Sequence, residues 1–355
     1  MSPGPDSRGG PRRVFLHIGL PKTGTTYLQQ VVWGNRDRLR AAGLVLPGFG
    51  HREHLWAALD LQERPRLARR HPDAPGAWQR LVDEGAGQSA DVLITHEFLC
   101  GASAAQASRA VASFPGAEVH LVVTARDAAS VVSAGWQESV KNGGTVDLDS
   151  VLAGKAAGGP EFSMRTWDLA AVLERWTRDL PAERVHLLVM PGAGEPRDLH
   201  WRHFAEVLGV DPDEFEAPAE AVNPALGIVQ IETLRLVNKH LPPYSAQERG
   251  VWIRGYLAED LLARQPSERG GLPEAYRDRF DAMDRAAARL VAERGFHVLG
   301  DLAALTGRRV AGAGRLPGTV TPEELLESAG RLVADIVADV RASTHDVVPR
   351  SRGSL

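Results

Sequence analysis

Along the first 190 residues, short apolar runs alternate with longer stretches of helical period. Val14–Ile18, Leu44–Leu46, Val92–Thr95, Val119–Ala125 and Val185–Met190 are near-continuous apolar segments without the in/out alternation of a half-exposed strand. Such runs suit strands covered on both faces, as in a parallel sheet between helical layers. Helical patterns lie between them, over Thr25–Ala41, Ala102–Ser113, Ala128–Lys141 and Thr166–Asp179. This alternation predicts an α/β fold of three layers, a parallel sheet flanked by helices. After Pro191 the pattern turns mostly helical, with Leu199–Leu208, Leu226–Leu241, Ala246–Ala263 and Tyr276–Arg294 as the main segments.

The expected organisation is therefore a tail over 1–12, disordered, then one domain over 13–306, with its core in 13–191 and a helical part in 192–306. A Gly/Arg-rich linker follows over 307–320, and a last helix with its tail over 321–355. That helix has a Thr321 N-cap, Pro322 at its first position and Glu324 at its third, the signature of a capped start. Its apolar stripe (Leu325, Leu332, Val333, Ile336, Val337, Val340) must be buried somewhere. The helix either packs back on its own chain or docks on a second subunit. The linker permits both, and the homodimer is the favoured expectation.

Composition narrows the class. With 43% hydrophobic and 24% charged residues the chain reads as an ordinary globular protein. The net charge of −4 argues against a general nucleic-acid binder. Cys100 is the sole cysteine, so no intrachain disulfide forms, and it reads as a small buried apolar residue. No run approaches the roughly 20 apolar residues of a membrane span, and the N-terminal tail has no signal-like apolar segment. A cytoplasmic protein without membrane attachment is expected.

The most informative residues are His17-Ile18-Gly19-Leu20-Pro21-Lys22-Thr23-Gly24-Thr25-Thr26. They leave an apolar strand and open a helical pattern, the context a phosphate loop requires. Turn amides and a helix N-terminus together make an anion site. Gly24 allows close backbone approach, and Thr25 and Thr26 can donate hydroxyl hydrogen bonds. A nucleoside-triphosphatase loop would place Lys directly after Gly24, where this chain has Thr25. The segment Pro21-Lys22-Thr23-Gly24-Thr25-Thr26 instead resembles the 5'-phosphosulfate loop of sulfotransferases that use PAPS (3'-phosphoadenosine-5'-phosphosulfate), and it matches at every position.

A second anion site is expected where Val119–Ala125 ends in Arg126, since a guanidinium there points to the crevice at the carboxyl end of the sheet. The sulfotransferase resemblance implies that such an Arg, with a Ser eight residues later, holds the donor's 3'-phosphate. Here the eighth residue is Ala134, and Ser130 and Ser133 are the nearest serines. Ser133, Gln137 and Lys141 share one helix face. Ser133 and Gln137 are taken as donor-binding candidates, while Lys141 is either a pocket cation or a solvated surface residue.

For the general base, Thr95-His96-Glu97 follows a central strand. The resemblance implies His96 as base, with Glu97 as the alternative by likeness to carbohydrate sulfotransferases. In an extended strand the two would point to opposite faces. His51 and His54 are spaced three apart with no evident third metal ligand, so no metal is expected. Trp56 and Trp252 fall in segments expected to shape an acceptor pocket (48–75, 143–162 and the helical third) and Trp78 lies just past the first, with packing as the ordinary fate of such rings.

What these residues and the resemblance imply is a P-loop-like PAPS-dependent sulfotransferase acting on a small-molecule or carbohydrate hydroxyl or amine, with PAP as product. The catalytic residues would be Lys22 with His96 or Glu97. The donor would be held by residues 21–26 (Pro21, Lys22, Thr23, Gly24, Thr25, Thr26), Arg126, Ser133 and Gln137. A kinase-like nucleoside-phosphate transferase and a PAPS- or PAP-binding protein without turnover are the alternatives. The closing segment Gly295–Leu302 also resembles the end of sulfotransferase-like proteins of actinobacteria. Arg269-Gly270-Gly271 faintly resembles the family's late Arg-Lys-Gly segment.

Overall fold

The structure, a computed structural model, describes residues 11–70, 72–155, 163–192, 194–196, 198–218, 226–266, 268–307 and 314–344. Most of the expected N-terminal tail, and part of the expected linker, lie outside these residues. By its internal contacts the chain divides into two compact units. The first comprises 1–135, 159–221 and 274–311, and the second 136–158, 222–273 and 312–355.

The first unit is built on a six-stranded, all-parallel sheet in the order β2-β3-β1-β4-β5-β6. The strands are β1 (Arg13–His17), β2 (Leu44–Val45), β3 (Asp91–Thr95), β4 (Glu118–Ala125), β5 (Val185–Val189) and β6 (His297–Leu299). The five expected strands are present, and the sixth comes from the closing segment that the sequence marked without assigning it a strand. β1 sits at the centre, with Val14 beside Val92 of β3 and Val119 of β4.

Both faces of the sheet are covered, which is why its strands are apolar throughout. Alternate residues sort to opposite sides. Val14 and Leu16 join Val92, Ile94, Leu121 and Val123 in one core. Phe15 joins Leu93, Val122, Leu28, Trp201 and Phe204 in the other. His17 continues the second side, so the strand's own periodicity points it at the helices Thr25–Gly34 and Leu199–Leu208.

Several helices differ from expectation for local reasons. The helix expected over 25–41 breaks at Asn35, whose buried side chain donates to the carbonyls of Val31 (2.8 Å) and Glu216 (2.7 Å) and accepts from the Glu216 amide (3.1 Å). The stretch expected over 166–179 divides at Asp168, which leaves helical geometry (φ −85°, ψ 102°) to cap Leu169–Trp176. Residues 48–75, read as a pocket-shaping segment, contain the helix His51–Leu61, and Trp56 packs into the core there. Trp78, too, is core.

In the second unit the C-terminal helix, Pro322–Thr344, packs on Ile228–Asn238 and on the π-helical segment Arg249–Leu261. Leu332 and Ser328 are its buried residues, with Ser328 bonded to Gln265. Arg315, in the expected linker, is not loose: it pairs with Glu324 at the start of this helix and bridges Gly270 through the backbone. The Arg269-Gly270-Gly271 segment is thus engaged with Gly314-Arg315, whose backbone approaches Gly271 closely.

Candidate active site

The site begins where β1 ends. Three residues of the following turn adopt left-handed backbone: Gly19 (φ 89°), Lys22 (φ 66°) and Gly24 (φ 83°). For lysine this conformation is uncommon, and such residues gather where a loop is shaped for a ligand. The loop is held against β4 by backbone bonds, with Leu20 N–H donating to Thr124 O (2.9 Å) and Thr124 N–H to Gly19 O (2.7 Å). Thr23 is fully buried, and its hydroxyl donates to Leu20 O while accepting from Thr124 Oγ1. Thr23 thus braces the loop from inside. Pro21 and Thr25 are also buried, Lys22 is partly exposed, and Thr26 is exposed. Gly24 caps Thr25–Gly34 with no side chain, so the first-turn amides gain no side-chain cap and suit an anion.

His200, remote in sequence, supports this loop from below. It is buried on the helix Leu199–Leu208 and its Nε2 donates to Thr23 O (3.1 Å). A Cβ on Gly24 would lie 2.9 Å from its ring. Burial holds its imidazole down to about 4, so it is neutral near pH 7.

On one side of the loop, β3 delivers His96 and Glu97. The strand ends at Thr95 and the chain coils at once into a 3-10 turn, Glu97–Gly101, capped by His96. The two side chains therefore do not point to opposite faces: His96 Nδ1 lies 3.9 Å from Glu97 Oε2. His96 Nδ1 accepts from the Phe98 amide (3.1 Å), which leaves the proton of the neutral ring on Nε2. Burial lowers His96 to about 4, with Glu97 opposing. Burial alone would raise the Glu97 carboxyl, but His96 and the Gln29 amide bring it below its ordinary value. Glu97 is therefore ionised near neutral pH.

Gln29, one turn into the loop's helix, donates to Glu97 Oε2 (3.0 Å) and accepts from His51 Nε2 (3.1 Å). His51, His96 and Glu97 offer one ligand atom each within 4.8 Å of one another, so the partners of His51 that spacing did not reveal come from the residues just after β3. This His₂Glu set is of a kind that can hold zinc. His54 is satisfied otherwise, donating to Pro47 O and accepting from the Thr95 amide.

On the other side of the loop, β4 ends in Arg126, whose side chain is 27% exposed and lies 3.9 Å from Asp127. Asp127 caps the helix Ala128–Lys141 through Ser130 N–H (2.8 Å), and Asp284 accepts from Ala128 N–H (2.9 Å). A cavity of about 710 Å³ opens along the same sheet edge beyond β5 and β6, lined by Met190, Glu195, His203 and Asp301 among others.

One solved structure is similar to this chain in fold: the crystal structure of a sulfotransferase from Alicyclobacillus acidocaldarius. It superposes with a TM-score of 0.50 at 16% sequence identity, over 83% of this chain and 98% of that one. The chain has a sulfotransferase-like fold. No family model matches it, and no curated protein matches its sequence.

Within that fold, Ser133 is half-buried midway along Ala128–Lys141. Gln137 and Lys141 lie on the same helix but in the second unit. Lys141 is 7% exposed and so is not a solvated surface lysine. Cys100 is buried, and burial raises its thiol far above the ordinary range, as fits a packing role. Among the described residues no helix is long and apolar enough to cross a membrane. The sequence reading missed His200, Gln29 and His51 as parts of the site. Only Gln29, on the face of the loop's helix next to Thr25, carried a usable signal.

Proposed function

We propose that the chain is a PAPS-dependent sulfotransferase acting on a hydroxyl or amine of a small molecule or carbohydrate. The observation that carries this reading is the left-handed Lys22 in a helix-opening loop, set on a strand whose two neighbours lead into Glu97 and Arg126. The loop amides with Thr25 and Thr26 hold the 5'-phosphate. Lys22 stabilises charge on the oxygen that bridges phosphorus and sulfur. Arg126, with Ser133 as a further contact, takes the 3'-phosphate and so separates PAPS from ATP.

Glu97 is the better base of the two candidates. It is ionised, and 20% of its side chain is exposed. His96 has its Nδ1 lone pair engaged and presents a donor at Nε2. In the transfer, the acceptor oxygen forms a bond to sulfur as the bond from sulfur to the bridging oxygen breaks. The acceptor proton passes to Glu97, and PAP leaves with the bridging oxygen's electron pair. His96 orients the acceptor or the sulfuryl oxygens through its Nε2–H.

Thermal melting with PAP, AMP and ATP tests the donor reading: PAP should stabilise far more than the other two. Equal stabilisation by ATP would contradict it. Glu97→Gln should lower turnover of labelled PAPS about 10²-fold or more with donor affinity little changed. If only His96→Ala does so, the base is His96. Tight PAP binding with no turnover on a broad acceptor panel would leave a binding protein.

A further inference from the structure

We infer that the outer face of the C-terminal helix is a homodimer interface in which two copies pair antiparallel about a two-fold axis. The inference rests on the second unit alone and stands apart from the proposed activity. The helix Pro322–Thr344 buries its inner face on its own unit, yet Leu326, Val333, Val337 and Val340 are 75%, 59%, 61% and 55% exposed. They recur at steps of seven, four and three, with Gly330 at the vacant four-residue step, which is the seam spacing of paired helices. Val251 and Trp252, on Arg249–Leu261, are also more than half exposed. Trp252 packs on Tyr256, whose hydroxyl donates to Asp339. Six of the seven large apolar side chains exposed among the described residues belong to these two helices.

Charge and shape select the partner. The helix carries Glu323, Glu324 and Glu327 near its start and Arg341 near its end. Antiparallel pairing centred on Ala334 sets Glu327 of each copy against Arg341 of the other, with Gly330 facing Ala338 and Ala334 facing itself. Parallel pairing would set like against like. The small residues Gly330, Ala334 and Ala338 let the two backbones approach, and the valines flank the crossing. Such a contact is isologous and closes on itself, as a two-fold dimer must. An anionic lipid surface fits poorly, because five acidic and two basic side chains line this helix.

The experiment is sedimentation and light scattering of the full chain, with cross-linking. Because Cys100 is buried, Ala334→Cys supplies one reactive thiol, and oxidation should yield a disulfide-linked dimer. Glu327→Arg and Arg341→Glu should each weaken the dimer about tenfold or more, and together restore it, with the circular dichroism of the folded chain unchanged. Val337→Glu should give a folded monomer. A full-length protein that stays monomeric at micromolar concentration overturns the inference. So does a dimer that persists in Val337→Glu, or that cross-links through Leu326→Cys and not Ala334→Cys, or a chain that binds phosphatidylserine vesicles and stays monomeric.

Discussion

Lowering the pH should unfold the sheet unit over a narrow range, because five of its buried histidines are held neutral. Burial pushes His17, His54 and His186 down to about 3, and His96 and His200 to about 4. In the unfolded chain each titrates near 6.5, so below that pH the unfolded state binds more protons. The stability these groups contribute is intact above about pH 6.5 and is lost as pH falls toward 4. At pH 5 each costs about 2 kcal/mol, or about 10 kcal/mol together. Asp284 works the other way. Burial, with Asp127 beside it, pushes its carboxyl up to about 7, so protonation between pH 7 and 5 returns about 2 kcal/mol. The net loss of about 8 kcal/mol rivals the whole stability of a typical domain, roughly 5–15 kcal/mol. Urea melts followed by tryptophan fluorescence at half-unit steps from pH 7.5 to 5 measure it. Near pH 5 the slope should correspond to about four protons taken up on unfolding. A midpoint that is flat over this range would refute the claim that these rings are buried and neutral.

Three further outcomes follow from single contacts. Gly24→Ala forces a side chain into left-handed backbone and against His200, so it should cost about 2 kcal/mol or more and abolish PAP-induced stabilisation, as read by thermal melting. Asn35→Ala strips the hydrogen bonds that join Val31 and Glu216 at the helix break, and should cost about 2–4 kcal/mol in urea melts. Gln29→Ala removes a donor that lowers the Glu97 carboxyl. The acid limb of the pH–rate profile should then move to higher pH, and an unmoved limb would exclude Glu97 as the group that titrates.

The parts of the fold legible in the sequence were those set by local pattern. Doubly buried strands are apolar at successive positions, so β1–β5 could be placed directly, and the order Pro21–Thr26 marks the turn that joins β1 to its helix. The parts that escaped depend on partners far along the chain. Asn35 sits in an otherwise helical pattern, and only its bonds to Glu216 end the helix there. His200 is 177 residues from the loop it supports, and nothing around it marks that role. The relation of His96 to Glu97 was misjudged because strand geometry was extended one residue too far. β3 stops at Thr95, and the 3-10 turn then brings both side chains to one edge. Spacing around His51 shows no partner because its neighbours arrive from the turn after β3 and from the loop's helix.

The central claim, that the two anion sites read the two phosphate ends of PAPS, is tested most directly by calorimetric titration of PAP and AMP against the wild type and Arg126→Ala. A charge-assisted bond to the 3'-phosphate contributes about 1.5–3 kcal/mol, so the wild type should prefer PAP over AMP by roughly 10- to 100-fold. In Arg126→Ala that preference should shrink about tenfold or more, to what Ser133 alone contributes, while AMP affinity stays unchanged. A preference for PAP that is undiminished by the loss of Arg126, or no preference in the wild type, would contradict the account.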